Sequence, residues 1–455
     1  MTPSLLHPAL LDRYGKLPLP RYTSYPPANL WGPRDDSLAR LALSSLDSRP
    51  LSLYVHVPFC RKLCLYCGCN MMVTRSQELV ERYLQALDRE VAQVASLLPA
   101  RCPVVQVHLG GGTPTYLDEA QLARLWQILA SRFDIPSGIE ASIEVHPPVT
   151  STTQLQTLAQ LGFSRVSMGV QDFDPVVQKR INRLQPFEQT RDLITSARQL
   201  GFVSVNIDLM YGLPLQSTER FAKTLDCVAT LRPDRIALFG YAHMPTLRTH
   251  QAVFRSDELP DPATRAALFE LSLQRLLALG YVYVGLDHFV LPEDELLTAR
   301  QHGQLRRNFM GYTTCKSSDV LAFGPSSISE LGRHYLQNER EVVPYCERVE
   351  SGALPVVRGY SLSPDDVIRR DLIMELLCNL VIDKPALSVR YGIDFDHYFA
   401  SELSALSPLI ADGLCGWEGD RLKILLPGQL LLRTVASIFD ATLHKPAPRH
   451  HAAAV

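Results

Sequence analysis

Apolar residues along the chain follow two periods that alternate. Short runs rich in β-branched and aliphatic residues read as strands at 51–57 (LSLYVHV), 104–109 (VVQVHL), 139–145, 164–170, 203–209 and 235–241, with another at 281–286. Between them lie amphipathic stretches with helical spacing at 76–98, 118–133, 151–161, 188–200, 217–231 and 262–279. Regular strand–helix repetition predicts a parallel sheet, because parallel neighbours need crossover connections. Six or seven such units fall short of a closed eight-unit barrel. The expectation is an α/β fold built on a partial (β/α)6 barrel, whose open side suits a large substrate. Functional residues should gather where strands end and loops begin, at the carboxyl edge of the sheet.

Beyond about residue 330 the alternation stops. Residues 361–445 read as several helices, including 365–380, then a hairpin-like segment WEGDRLKILL with a turn at Gly419, then a last helix from Gly428. Helices followed by a small hairpin suggest a mostly helical, winged-helix-like domain. The stretch lacks the dense basic face that nucleic-acid binding needs, so a lid or packing role is expected. The predicted organisation is an N-terminal segment at 1–50, the barrel at 51–330, a linker at 331–360, the helical domain at 361–445 and a disordered tail at 446–455.

Composition narrows the function classes. The chain has 455 residues, 46% hydrophobic and 20% charged, with a net charge of −2. A near-neutral balance offers no electrostatic case for nucleic acid or an anionic membrane. The first twenty residues are broken by prolines and charges, and no run approaches membrane-spanning length, so a cytoplasmic location is expected. Six of the ten cysteines (Cys102, Cys227, Cys315, Cys346, Cys378, Cys415) are scattered singly. They read as reduced, small buried hydrophobes rather than a disulfide framework.

The other four crowd into ten residues, Cys60, Cys64, Cys67 and Cys69, directly after the first strand. Three thiolates spaced four and then three apart on one loop can converge on the corners of a cuboidal iron–sulfur cluster and leave one iron open. An open iron can take a small molecule with amino and carboxylate groups into its coordination shell. Structural zinc, which also takes four thiolates, is the alternative, although zinc sites usually split their ligands into separated pairs.

A second motif, LGGGTPT at 109–115, ends the second strand. Three glycines remove every side chain from a loop, so its backbone can approach a ligand closely. Glu144, Gln171, Arg183 and Asp208 lie at or just beyond later strand ends. Carboxylates at the ends of apolar strands are costly unless paired or engaged by a ligand, and their recurrence favours a site over isolated ion pairs.

The three-cysteine loop, with Tyr66 before its third cysteine, resembles the radical S-adenosylmethionine superfamily. PRYTSYPPA (20–28), LSLYVHVPFCRKLCLYCGCN (51–70), HLGGGTPTYL (108–117), MGVQDF (168–173), NIDLMYGLP (206–214), FGYAHMP (239–245), LDHF (286–289) and RNFMGYTT (307–314) go further. Together they resemble the oxygen-independent coproporphyrinogen III oxidase family over nearly the whole chain.

That resemblance implies a radical enzyme that converts two propionates of coproporphyrinogen III to vinyl groups, giving protoporphyrinogen IX, through a 5′-deoxyadenosyl radical. Cys60, Cys64 and Cys67 would ligate a [4Fe–4S] cluster, with Cys69 beside it. Tyr54, Tyr66, Gly111, Gly112, Thr113, Glu144, Gln171, Arg183, Asp208, Ala242 and Ile328 match positions that hold two molecules of S-adenosylmethionine. The segment around Arg21 to Tyr25 would help to close the substrate cleft, and Arg21 and Arg307 are candidates for the propionates. An electron donor is implied, and a monomer.

Two positions depart from the family's pattern. Met310 stands where relatives tend to have glutamine, and His146 where they are often acidic. Two other readings stay open: a haem-trafficking relative of the same fold, which typically lacks the fourth cysteine and PRYTSYP, and a radical enzyme for another tetrapyrrole.

Overall fold

A computed structural model describes residues 8–15, 17–47, 49–315 and 319–444. The tail expected at 446–455 lies outside the described residues. Two compact units divide the chain: Gly32–Ser272 with Ser317–Ser361, and Met1–Trp31 with Leu273–Lys316 and Leu362–Val455.

The first unit is built on six strands in sequence order: β1 (Leu51–Val57), β2 (Val104–Gly111), β3 (Glu140–Val145), β4 (Arg165–Gln171), β5 (Ser204–Tyr211) and β6 (Arg235–Gly240). Each pairs in parallel with the next. Helices α1 (Gln77–Leu97), α2 (Glu119–Ala130), α3 (Thr152–Gln160), α4 (Phe187–Gln199) and α5 (Thr218–Leu231) make the crossovers. Local sequence fixes their starts. Asp118 and Gln121, and again Ser151 and Gln154, form reciprocal capping boxes that satisfy backbone N–H groups otherwise left open at a helix start.

Alternation along the strands divides the sheet into two faces. Ile143, Val145, Val166, Met168, Ile207 and Leu209 are buried in the core. The intervening residues share the other face, and register sets them side by side. Tyr54 lies opposite His108 and His108 opposite Ser142, while Glu144 pairs with Ser167 and Gly169 with Asp208. The partial barrel read from periodicity is therefore present, with polar residues stacked toward its carboxyl edge.

The sheet continues beyond β1 in a way that the pattern did not indicate. Strand β7 (Asp319–Phe323) runs parallel to β1, and β8 (Ile328–Leu331), β9 (His334–Asn338) and β10 (Val356–Ser361) follow antiparallel. The stretch 331–360, expected as a linker, instead carries β9, helix α6 (Val342–Glu350) and most of β10. Segments such as HYLQN and VVRGYS are short and mix polar with apolar residues, so periodicity hardly separates them from loop.

The second unit holds the long helix α7 (Pro364–Asn379), started by a Ser363–Asp366 capping box. A three-stranded sheet follows in the order Val381–Asp383, Arg421–Ile424, Cys415–Glu418. Its hairpin turns at Gly419, whose φ of +58° is the left-handed conformation that favours glycine. Leu372, Leu376, Phe399, Leu422, Val435 and Phe439 form a closed core there. Two short helices, Leu426–Leu430 and Leu432–Ser437, stand where a single last helix from Gly428 was expected, and the mostly helical, winged-helix-like domain is otherwise present.

Candidate active site

The cysteine loop leaves the carboxyl end of β1 through Phe59–Cys60, and a cavity of about 430 Å³ opens beside it. Cys60, Cys64, Cys67 and Cys69 line it together with Tyr66, Gly111, Gly112, Thr113, Glu144, Gln171, Arg183 and Asp208. Three residues of the expected set stand elsewhere. Tyr54 lies behind the wall on β1, where its hydroxyl bonds His56 Nδ1 at 3.0 Å and its ring stacks on His108. Ala242 follows β6 and Ile328 opens β8, and neither lines the cavity.

The glycine run brings the second loop against the first. The Gly112 N–H donates to the Val57 carbonyl at 2.8 Å, and a Cβ at Gly112 would stand 2.9 Å from the Phe59 carbonyl oxygen and 3.1 Å from Cys60 Sγ. Gly111 has φ of +123°, and a Cβ there would meet the Val57 carbonyl oxygen at 2.7 Å. Both positions require glycine for the approach itself. The Gly111 N–H donates to Glu144 Oε2 at 3.2 Å, and Thr113 Oγ1 lies 3.5 Å from Cys60 Sγ.

The four thiols differ in proton affinity. Burial pushes Cys60 up to about 11. Cys67 is drawn down to about 6, chiefly by a hydrogen bond from Cys69, whose own thiol is driven far upward by the same contact. Arg183 Nη1 donates to Cys64 Sγ at 3.5 Å and Nη2 to the Gly169 carbonyl at 2.5 Å, which sets a fixed cation against the thiols.

Glu144 is enclosed by protein but open to the lumen, its side chain 45% exposed. Burial pushes its carboxyl up, yet the His108 hydrogen bond and charge and the Gly111 N–H outweigh burial, so it stays below the usual carboxylate range. Asp208 goes the other way. Burial and the Glu144 charge raise it to about 7 against the Asn206 and Ser167 hydrogen bonds. His146, also in the lining, is held neutral by burial and the Arg183 charge, its pKa lowered to about 2. An irregularity in register between Gly169 and Gln171 gives Gln171 a φ of +72° and a place in the lining.

Residues 54–228 match the model of the radical SAM superfamily and residues 362–431 that of the HemN C-terminal domain. An oxygen-independent coproporphyrinogen III oxidase of Salmonella typhimurium is 43% identical over 440 residues, covering 96% of each chain. The Escherichia coli enzyme of that description is also 43% identical over 440 residues, with 96% of each chain covered. The chain belongs to the oxygen-independent coproporphyrinogen III oxidase family. A solved structure described as coproporphyrinogen III oxidase (HemN) from Escherichia coli, a radical SAM enzyme, superposes with a TM-score of 0.91 at 41% identity, covering 96% of this chain and 99% of that one. Membership gives the chain its cofactors, a [4Fe–4S] cluster and S-adenosylmethionine.

The cavity fits both groups. Thiols on one loop face a lumen beside a glycine wall with no room for a Cβ, as a cluster and an amino-acid moiety require. Gln171 Oε1 and Arg183 Nε are buried without partners, as polar atoms waiting for a ligand would be. Family membership, which brings a [4Fe–4S] cluster, replaces the zinc alternative.

Sequence reasoning passed over several contributors. Asn182, Leu184, Met210 and Phe239 line the cavity but carry no reactive group that would single them out. His56 and His108, on β1 and β2, orient Tyr54 and Glu144, roles that alternation alone does not reveal. In the other unit Arg307 Nη1 donates to the carbonyls of Arg21 and Tyr22 at 3.4 and 3.2 Å, so part of its donor capacity goes to the PRYTSYP backbone.

Proposed function

We propose that this protein oxidatively decarboxylates two propionate side chains of coproporphyrinogen III, giving protoporphyrinogen IX, with Cys60, Cys64 and Cys67 holding its cluster. One observation carries the reading. Thiols of one loop, a glycine run, Glu144 held below the usual carboxylate range and Arg183 all line a single cavity at the carboxyl edge of a parallel sheet. Bound there, the cluster and S-adenosylmethionine would supply the radical chemistry for hydrogen removal from a propionate β-carbon.

The chain's own residues position and partition charge. Glu144 stays ionised beside Gly111 and faces the ammonium group of the cosubstrate, with Gly112 and Thr113 supplying backbone and hydroxyl contacts. Asp208, near neutrality in its proton affinity, can accept from or donate to sugar hydroxyls, and the Gln171 carbonyl adds an acceptor. Arg183 offsets the charge of the thiolates. Tyr66 closes the floor, packed with Val177, Ile181, Leu213, Tyr241 and Phe254. Tyr54 reaches the site through His108, on which it stacks and which bonds Glu144, whereas Ala242, Ile328 and a second S-adenosylmethionine rest on the resemblance alone.

On this reading residues 51–330 carry the chemistry and 361–445 a packing or lid role, in a cytoplasmic monomer served by a separate electron donor. Among the described residues no helix is long and apolar enough to cross a membrane. The test is anaerobic: reconstitute the cluster, add reductant, S-adenosylmethionine and coproporphyrinogen III, and follow 5′-deoxyadenosine with protoporphyrinogen. Both should form together. Deoxyadenosine without a vinyl product sinks the substrate assignment.

A further inference from the structure

The cysteine loop from Leu63 to Asn70 belongs to no ladder, yet its carbonyls are tied from outside. Asn182 Nδ2 donates to the Leu63 carbonyl at 2.8 Å, Gln251 Nε2 to Tyr66 at 2.9 Å and Arg248 Nη2 to Gly68 at 2.6 Å. His250 Nε2 meets the Cys67 carbonyl at 2.8 Å, and His56 Nε2 meets that of Asn70 at 2.8 Å. Three of these five partners come from four consecutive residues, 248–251, where the chain turns after β6.

That turn is itself braced. Gln251 is 1% exposed and uses both ends of its amide, accepting from the Met244 N–H at 2.7 Å while it donates to Tyr66. Arg180 donates to the Val253 carbonyl at 2.6 Å, pairs with Glu258 at 2.7 Å and lies over the Phe254 ring. Phe254 packs in the same apolar cluster as Tyr66, with Cys64 and Leu65 against it. Loop and turn share one small core.

We propose that Arg248, His250 and Gln251 are positioning residues that hold the cysteine loop in its ligating shape, with or without a cluster bound. This rests on the assignment of Cys60, Cys64 and Cys67 as cluster ligands. A loop without regular hydrogen bonds samples many shapes, and fixing its carbonyls removes that freedom before binding. The Arg248 charge beside the Gly68 carbonyl also favours the more negative, reduced cluster, since local charge is one determinant of its potential.

The test uses the full chain in two states. In cluster-free protein, hydrogen exchange at amides 63–70 should quicken about tenfold in Gln251→Glu, which keeps the shape but loses the donor, and stay local. In reconstituted protein, Arg248→Gln and His250→Ala should speed iron release to a chelator, and Arg248→Gln should lower the reduction potential. Arg248→Lys and His250→Gln should restore most of each effect. Unchanged exchange at 63–70, a rise spread equally over β1–β6, or conservative variants as impaired as the disruptive ones would overturn the proposal. Failure of the wild-type chain to take up iron would instead break the cluster assignment, and the exchange data would still decide the clamp.

Discussion

Glu90 and Glu144 are two carboxylates enclosed by the same unit, and they use their acceptor capacity in opposite ways. Glu90, on α1 and 2% exposed, accepts from Tyr345 Oη at 2.5 Å, Asn338 Nδ2 at 2.6 Å and the Gly324 N–H at 2.9 Å. These donors tie α1 to β9, to the turn after β7 and to α6. Among the described residues Glu144 accepts from the Gly111 N–H and pairs with His108, and its side chain opens on the cavity. Saturated acceptors hold a fold together, whereas acceptors left facing a lumen are free to take a ligand. Proton affinity is set by burial working against those donors. Burial lifts Glu90 to about 7, while Glu144 is kept ionised.

The largest expected effect lies on the lumen side. Replacing Cys60, Cys64 or Cys67 singly by alanine should abolish cluster incorporation and activity, read as iron and sulfide content and deoxyadenosine formation. With Cys60, Cys64 and Cys67 assigned as the ligands, Cys69→Ala should retain iron; loss of iron equal to the other three would put it among the ligands. Next comes Glu144→Gln, which removes a charge-assisted contact of about 1.5–3 kcal/mol. S-Adenosylmethionine binding should weaken roughly 10- to 100-fold by isothermal titration, with the thermal midpoint little changed.

Glu90→Gln should do the reverse and leave the cosubstrate's affinity alone. Because the folded state raises the pKa of Glu90 from 4.5 to about 7, its protonated form contributes stability that is complete below pH 4.5 and lost as pH climbs through 7. Wild-type stability should therefore fall across that window relative to the variant, by up to about 1.4 kcal/mol per pH unit. Unfolding curves at several pH values check this, and parallel profiles would mean that Glu90 is not titrating there. The smallest effect is expected at Met310, at the tip of the Arg306–Asn308 and Gly311–Thr313 hairpin, where only the backbone N–H is engaged, by Asn308. Met310→Gln should leave stability within about 0.5 kcal/mol, and a large change in substrate affinity would make the residue a specificity determinant.

Much of this was legible along the chain. Strands β1 to β6 and their crossover helices declared themselves because each carries a clean period over many residues. The cysteine spacing, the glycine run and the acids at strand ends named the chemistry, since these residue types are costly where they stand without a ligand. Strands β8 to β10 were hidden, being too short and too mixed for a period to register. The carbonyl ties from Arg248, His250 and Gln251 were invisible for a different reason. Nearly two hundred positions separate them from the loop they hold, and their donors serve a backbone that sequence does not display.

The order of residues by itself determined the parallel sheet, the loop of thiols and the family, because periodicity, spacing and shared motifs are properties of a one-dimensional string. Only the tertiary structure decided which carboxylate is closed off and which faces a lumen, and what braces the loop. Those are outcomes of burial and of hydrogen bonds between distant segments, and they exist only once the chain has folded.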